Sequence, residues 1–235
     1  MESYSDCAGC LNNLCYVRQF CSANWIDIIN KNKNQFTYEK GQQVFREGDR
    51  IFGLYFIKEG KIKIISTGLN GREQIVRLAN AGHIIGHRGN ENETYPIGAV
   101  ALEKTRVCFL DNNIIYDVFM HNPKFTFALM MFYSAELRRI EVKERLLTQM
   151  TIREKVADAL LYLNEKFGMD VSDNSLNVIL SRQEIGDMIG IHSEQVTREL
   201  TEFENEKLIT KQNKKICITN PEGLYNVIAA HHRLV

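Results

Sequence analysis

Cysteine is crowded at one end of this chain. Cys7, Cys10, Cys15 and Cys21 follow one another with two, four and five residues between them, and Cys108 and Cys217 lie far downstream. Thiolates are soft metal ligands, so Cys7, Cys10, Cys15, Cys21 and Cys108 offer five sulfurs to a site that needs four. Zinc is one occupant of such a set. A mobile tail of free thiols, with Cys108 as a small core residue, is the plain alternative. A second constellation is polar: Glu194, Gln195, Thr197, Arg198 and Thr201 fall on one face of a short helical stretch, and side chains of this kind read base edges in DNA. No Ser/His/Asp order, phosphate-binding glycine loop or paired carboxylates stand out. Cys7 and Cys10 also lack the βαβ surroundings of a dithiol oxidoreductase, so the chain does not read as an enzyme.

The polar face needs two helices to present it. Ser181 and Glu184 have capping-box spacing and start the first, on which Ile185 and Ile189 share a side. Gly190 then ends it, being the residue that most readily turns left-handed. The chain restarts at Ser193, and Val196, Leu200 and Phe203 recur as a buried stripe. Gly186 lacks a side chain where the two helices would cross. This is a helix-turn-helix, whose second helix enters the major groove. The competing reading is an ordinary helical hairpin serving only protein contacts within a ligand-binding signalling module.

Elsewhere the chain divides by pattern. From Phe36 to Asp111, short β runs alternate with turn residues, which predicts an antiparallel roll or barrel. Asn112 to Met120 is a short helix, broken at Asn122-Pro123. A helix from about Lys124 to Met150 contains neither Gly nor Pro, and its apolar seam predicts pairing with a second copy. Ile152 to about Lys166 is helical and Leu176–Leu180 reads as a strand. A hairpin then flanks Lys211, Lys214 and Lys215, and Asn220-Pro221 caps the last helix. Formal net charge is zero, and residues 151–235 carry ten Lys/Arg against thirteen Asp/Glu, so phosphate attraction must come from local basic groups. There is neither an 18-residue apolar run nor a signal-type N-terminus, so a cytoplasmic protein with reduced thiols and no membrane partner is expected.

In this order, roll, long helix and winged helix-turn-helix, the chain resembles the CRP/FNR family of bacterial transcription regulators. Arg182-Gln-Glu-Ile-Gly, with the following Ile-Gly, Val-Thr-Arg and Leu-Ile, matches the family signature, and glycines 41, 48, 60, 71, 82 and 86 fall at the roll's turns. One departure is Glu199, where the family has an aliphatic residue. The resemblance implies an α+β chain. Its parts are a Cys-containing segment (1–22), a jelly-roll sensor like a cyclic-nucleotide-binding domain (23–120), a dimerisation helix (121–150) and a winged helix-turn-helix (151–235). It also implies a homodimer on double-stranded DNA, in contact with RNA polymerase. Glu194 would accept from a cytosine amine and Arg198 would donate to guanine, flanked by Ser193 and Thr197. Arg182, Lys214 and Lys215 would support binding to a near-palindrome of TTGA-like half-sites.

The same resemblance bears on the signal. Cyclic-nucleotide binders of the family carry Gly-Glu and an Arg-Ser or Arg-Thr pair in the roll, where this chain has Gly86-His87 and Ile97-Gly98. A buried phosphate without that Arg is very costly, so cyclic AMP is not expected; Arg88 lies at the wrong end of the loop to replace it. In the FNR branch, three N-terminal cysteines and one on the roll's last strand hold a [4Fe–4S] cluster. Cys7, Cys10 and Cys108 match those positions. Cys15 comes one residue early, which leaves Cys21 as the alternative third ligand. His83 and His87 flank the loop where haem or another small ligand would sit.

Overall fold

The structure is a computed structural model that describes residues 6–68, 70–87 and 94–231; Arg88 lies outside them. Two short helices, α1 (Tyr16–Phe20) and α2 (Ala23–Asn32), precede the strands β1 (Asn34–Tyr38), β2 (Gln43–Phe45), β3 (Gly53–Glu59) and β4 (Lys61–Thr67). Strands β5 (Glu73–Asn80), β6 (Ile84–Ile85), β7 (Gly98–Ala101) and β8 (Thr105–Asp111) follow, then α3 (Asn112–His121) and α4 (Pro123–Gln149). The chain continues through α5 (Ile152–Phe167), α6 (Arg182–Ile189), α7 (Ser193–Asn205), β9 (Ile209–Gln212), β10 (Lys215–Ile218) and α8 (Pro221–Val227). Its contacts divide it into two units, Met1–Glu136 and Leu137–Val235.

In the first unit the strands pair antiparallel in two four-stranded sheets, ordered β1-β8-β3-β6 and β2-β7-β4-β5. The period-two alternation of strands gives β3 two working faces. Tyr55 and Ile57 face the roll interior with Val44, Ile62 and Val107, while Leu54 and Phe56 face a second core built from the helices. Strand β8 does the same, and its outer face carries Cys108 and Leu110 toward that helical core. Asp111 caps α3 by accepting from the backbone of Asn113 and Ile114.

The break at Asn122-Pro123 is built as read, because proline cannot donate and the residue before it is pushed out of the helical region. Asn122 is buried there, its amide donating to the Val118 carbonyl at 3.2 Å. Along α4, Phe125, Leu129, Phe132 and Glu136 form an inward stripe, whereas Phe127 (60%), Met130 (58%), Leu137 (59%) and Ile140 (45%) are exposed.

In the second unit Thr151 opens α5 with a full capping box, and Ser181 does the same for α6. Leu176–Leu180 is not a strand. Leu176 makes a single bridge to Met169, and its amide goes to the Ile216 carbonyl (2.7 Å) while that of Asn177 goes to Gly168 (2.9 Å). The backbone groups are satisfied across a turn region rather than along a ladder. Among the described residues no helix is long and apolar enough to cross a membrane.

Candidate functional sites

Four of the N-terminal and roll cysteines meet around one cavity. Its walls include Cys7, Cys10, Cys15 and Cys108, with Asn12, Arg18, Lys33, Gln35, Phe56 and Lys58. Cys21 is not among them. Cys15 and Cys21 flank the five-residue helix α1 at its two ends, and both pack against the helical core. Hydrogen bonds tie the segment to the roll and to α2. Asn12 donates to the carbonyls of Ile57 (3.0 Å) and Lys58 (3.1 Å). Arg18 donates to the Cys10 carbonyl, and the Cys7 amide donates to the Asn30 side chain at 3.0 Å.

Burial shapes the acidity of these sulfurs by disfavouring the thiolate. It raises the pKa of Cys15, opposed by backbone hydrogen bonds from Arg18 and Val17, and pushes Cys21 up to about 12. Cys108 is pushed up to about 11 by burial, against the pull of the Lys33 charge. Lys33 is itself buried, and its ammonium donates to the Cys7 sulfur at 3.0 Å. Gln35 donates to Cys108 at 3.7 Å. Neither residue carries a periodicity signal in the sequence, and only the pairing of β1 with β8, which sets Gln35 opposite Cys108, brings them to the site.

Three aromatic rings stack within the mainly aliphatic roll interior. Phe45 stacks on Tyr95 at 4.2 Å and on Tyr55 at 5.5 Å, and Tyr95 is 2% exposed. Ile97 joins this core, and a Cβ on Gly98 would stand 3.2 Å from Ile65. His87 is buried, edge-on to Phe132 and Tyr133, and the Tyr133 hydroxyl donates to its carbonyl at 2.6 Å. Next to it, Arg77 and Glu136 form an ion pair at 3.2 Å with both side chains under 10% exposed.

The helix-turn-helix closes through a tight turn. Gly190 has φ +74°, and its amide and that of Ile191 both donate to the Gly186 carbonyl. A side chain at 186 would meet the Ile191 carbonyl at 2.6 Å, so the close approach is to the turn itself and not to α7. His192 is the N-cap of α7, and Val196, Leu200 and Phe203 are fully buried. Glu199, the departure from the family pattern, is explained by Arg153. That guanidinium binds Glu206 through two bonds (2.8 and 2.6 Å), approaches Glu199 at 3.9 Å and lies 4.7 Å over the Phe203 ring.

Opposite this stripe Glu194, Thr197 and Arg198 are exposed and Ser193 is half-buried. The Thr197 hydroxyl donates back to Ser193 (2.8 Å), which leaves its methyl as the group to offer a base. Strands β9 and β10 form the basic hairpin, with Asn213 and Lys214 as its turn. Lys214 is exposed there, Lys211 binds Glu204 at 2.9 Å, and Lys215 binds Asp173. Arg182 is half-buried, its pKa lowered by burial and raised by Glu204.

Residues 35–122 match the cyclic nucleotide-binding domain family, and residues 154–227 match the Crp-like helix-turn-helix domain. The transcriptional activator protein Anr of Pseudomonas protegens is 31% identical over 184 residues, which span 78% of this chain and 75% of that protein. The chain belongs to the CRP/FNR family. Electron transport regulator A of Shewanella oneidensis is 30% identical over 209 residues, 88% of this chain and 82% of its own. FixK2 from Bradyrhizobium japonicum shares the fold, with a TM-score of 0.74 at 22% identity over 83% of this chain and 96% of that one. This CRP/FNR protein is a DNA-binding transcription regulator, FNR-like in the relatives it matches.

Proposed function

We propose that this regulator acts as a homodimer on a near-palindrome of TTGA-like half-sites, and that its signal enters where Cys7, Cys10, Cys15 and Cys108 would hold a [4Fe–4S] cluster. The observation that carries the reading is the meeting, at one cavity, of three cysteines from the N-terminal segment with one from β8. The donor set fits such a group: four sulfurs for four irons, with the cations of Lys33 and Arg18 in the same wall to offset negative charge. Among the described residues no three His, Cys, Asp or Glu groups stand close enough together to hold a single metal ion. The relation to a protein named as an electron transport regulator points the same way.

When bound, the cluster supplies redox-sensitive bonds to the four thiolates. The chain supplies the route onward. Tyr16, next to Cys15, packs on Phe132 of α4, and the amide of Ser22, next to Cys21, donates to Asn122 at 3.2 Å. A change in how the segment is held therefore reaches α4, whose exposed Phe127, Met130, Leu137 and Ile140 suit a second copy of the helix. Repositioning that pair shifts the population of dimers whose α7 helices lie one DNA turn apart. RNA polymerase is the further partner, by family resemblance. On this reading cyclic AMP is not the effector, because Ile97 and Gly98 stand where the family's cyclic-nucleotide binders carry a phosphate-binding Arg pair.

Selection from random DNA tests the reader. The expected product is a two-fold motif with a G·C pair read by Glu194 and Arg198, and Arg198→Ala loses about 1–3 kcal/mol of discrimination there while remaining dimeric. Recovery of sequences without two-fold symmetry would remove this reading.

A further inference from the structure

Arg153 is the second residue of α5, two places after the Thr151 cap. Its guanidinium reaches across to α7 and meets three residues there. One nitrogen donates to both carboxylate oxygens of Glu206 (2.8 and 2.6 Å), the other approaches Glu199 at 3.9 Å, and the group lies 4.7 Å over the Phe203 ring. Glu199, Phe203 and Glu206 recur at i, i+4 and i+7, so they share one face over two turns of helix. Phe203 is fully buried, and Glu206 is the C-cap of α7. With 35% of the Arg153 side chain and 46% of Glu206 exposed, these ion pairs contribute little to stability. What they supply is geometry. A planar, pre-organised guanidinium held at points two turns apart resists both rotation of α7 about its axis and sliding along it. The helix with its side chains is about 10–12 Å across, so a rotation of about 10° moves a side-chain tip by about 1 Å. A hydrogen bond to a base edge, confined to about 2.7–3.2 Å, does not survive that shift.

We propose that Arg153 is a positioning residue for base reading: through Glu206, Glu199 and Phe203 it fixes the rotation of α7, so that Glu194 and Arg198 meet their base pair, and it does not itself touch DNA. The inference rests on the reading of α7 as the base-contacting helix. It separates Arg153 from two other roles. A phosphate-binding arginine acts equally on every duplex and adds to the salt dependence. A purely structural one acts on folding and leaves the preference of the folded protein for its site unchanged. A positioning residue lowers that preference alone, and its effect depends on the base contact it serves.

The experiment uses the full chain, prepared identically as wild type, Arg153→Met, Arg153→Lys, Glu206→Gln, Arg198→Ala and the double variant Arg153→Met with Arg198→Ala. Each is titrated, at a temperature where circular dichroism shows it folded, with the two-fold site selected from random DNA and with an unrelated duplex of equal length, across a range of salt. Arg153→Met is expected to bind the unrelated duplex as wild type does, with the same salt slope. Its preference for the selected site falls about 5-fold or more, within the 5–150-fold or so that one base contact is worth. Arg153→Lys recovers part of the preference, and Glu206→Gln shows a smaller loss. In the Arg198→Ala background the same Arg153→Met change costs less. Where Arg153→Met is not folded, Glu206→Gln carries the same comparison. If Arg153→Met keeps the wild-type preference, or weakens binding to both duplexes equally with a shallower salt slope, the proposal is overturned. A loss of equal factor with and without Arg198 also overturns it. In each of these cases the reading of α7 stands as long as Arg198→Ala loses the preference. If Arg198→Ala keeps it, or selection returns no site, α7 does not read bases and the role of Arg153 falls with that reading.

Discussion

Tyr16 meets Phe132 edge to face, their ring centroids 5.9 Å apart and their planes at 77°. Tyr16 follows Cys15 in sequence, and Phe132 lies on the inward stripe of α4. A ring contact therefore joins the thiol-bearing segment to the long helix. Tyr16→Leu retains most of the apolar burial but removes the ring pairs with Phe132 and Phe20, at a cost of about 0.5–1.5 kcal/mol for each. Urea unfolding measures that loss. Equilibrium DNA titrations with and without iron should show a smaller affinity ratio in this variant than in wild type. An undiminished ratio would place the coupling elsewhere, with Ser22 and Asn122 as the next contact to break.

Arg77 and Glu136 tie β5 to the same helix, and they are buried. Arg77 also donates to the Ile84 carbonyl at 3.1 Å and lies 5.4 Å over the Phe132 ring. Removing one partner of a buried ion pair typically costs about 3–5 kcal/mol, whereas replacing both with apolar groups is far milder. Glu136→Gln and Arg77→Met should each destabilise strongly, and Arg77→Met with Glu136→Leu should recover most of the loss. A double-mutant cycle by denaturant unfolding checks the coupling, and additive effects would show that the pair contributes nothing as a pair.

Asp173 gives the second unit a dependence on acid. Its hydrogen bond from Lys215 first, and those from Ser175 next, hold its carboxyl at about 2. The unfolded value is about 3.9. For an acid depressed on folding, the added stability is fully present above the unfolded value and is lost as pH falls toward the folded one. The window is therefore about pH 4 down to 2. Asp173→Asn should flatten the fall in melting temperature across that window. The same substitution frees Lys215 for phosphate, and if it then contacts one more, the slope of log affinity against log salt steepens by about 0.9. An unchanged salt slope would mean that Lys215 does not reach DNA.

Local chemistry made much of this fold legible in the sequence. The capping residues Ser181 and Thr151, the stop at Gly190, the Asn122-Pro123 break and the Asn220 cap each act within a few residues, so each is visible without tertiary knowledge. Strand β1 was hidden because Asn-Gln-Phe-Thr-Tyr alternates weakly at a sheet edge, where one side stays exposed. Leu176–Leu180 misleads for the opposite reason: an apolar run looks like a strand, but its partners are a turn and the Ile216 carbonyl.

At the thiol site, spacing alone leaves Cys15 and Cys21 as rivals, and the cavity wall includes Cys15 but not Cys21. Gln35 carries no signal in the sequence, because only the pairing of β1 with β8 sets it opposite Cys108. On α7, by contrast, helical periodicity alone puts Glu194, Thr197 and Arg198 on the exposed face.

The proposed role of the thiol cavity is to govern DNA binding. The most direct measurement is fluorescence anisotropy on the selected two-fold DNA site, made on one anaerobically reconstituted sample before and after it is exposed to air, with iron and sulfide assayed at both points. Loss of iron should change affinity by about 5–150-fold, the range of a typical coupling free energy, and Cys15→Ser should show one affinity under both conditions. An iron-loaded protein that binds DNA equally well before and after its iron is lost would contradict the account.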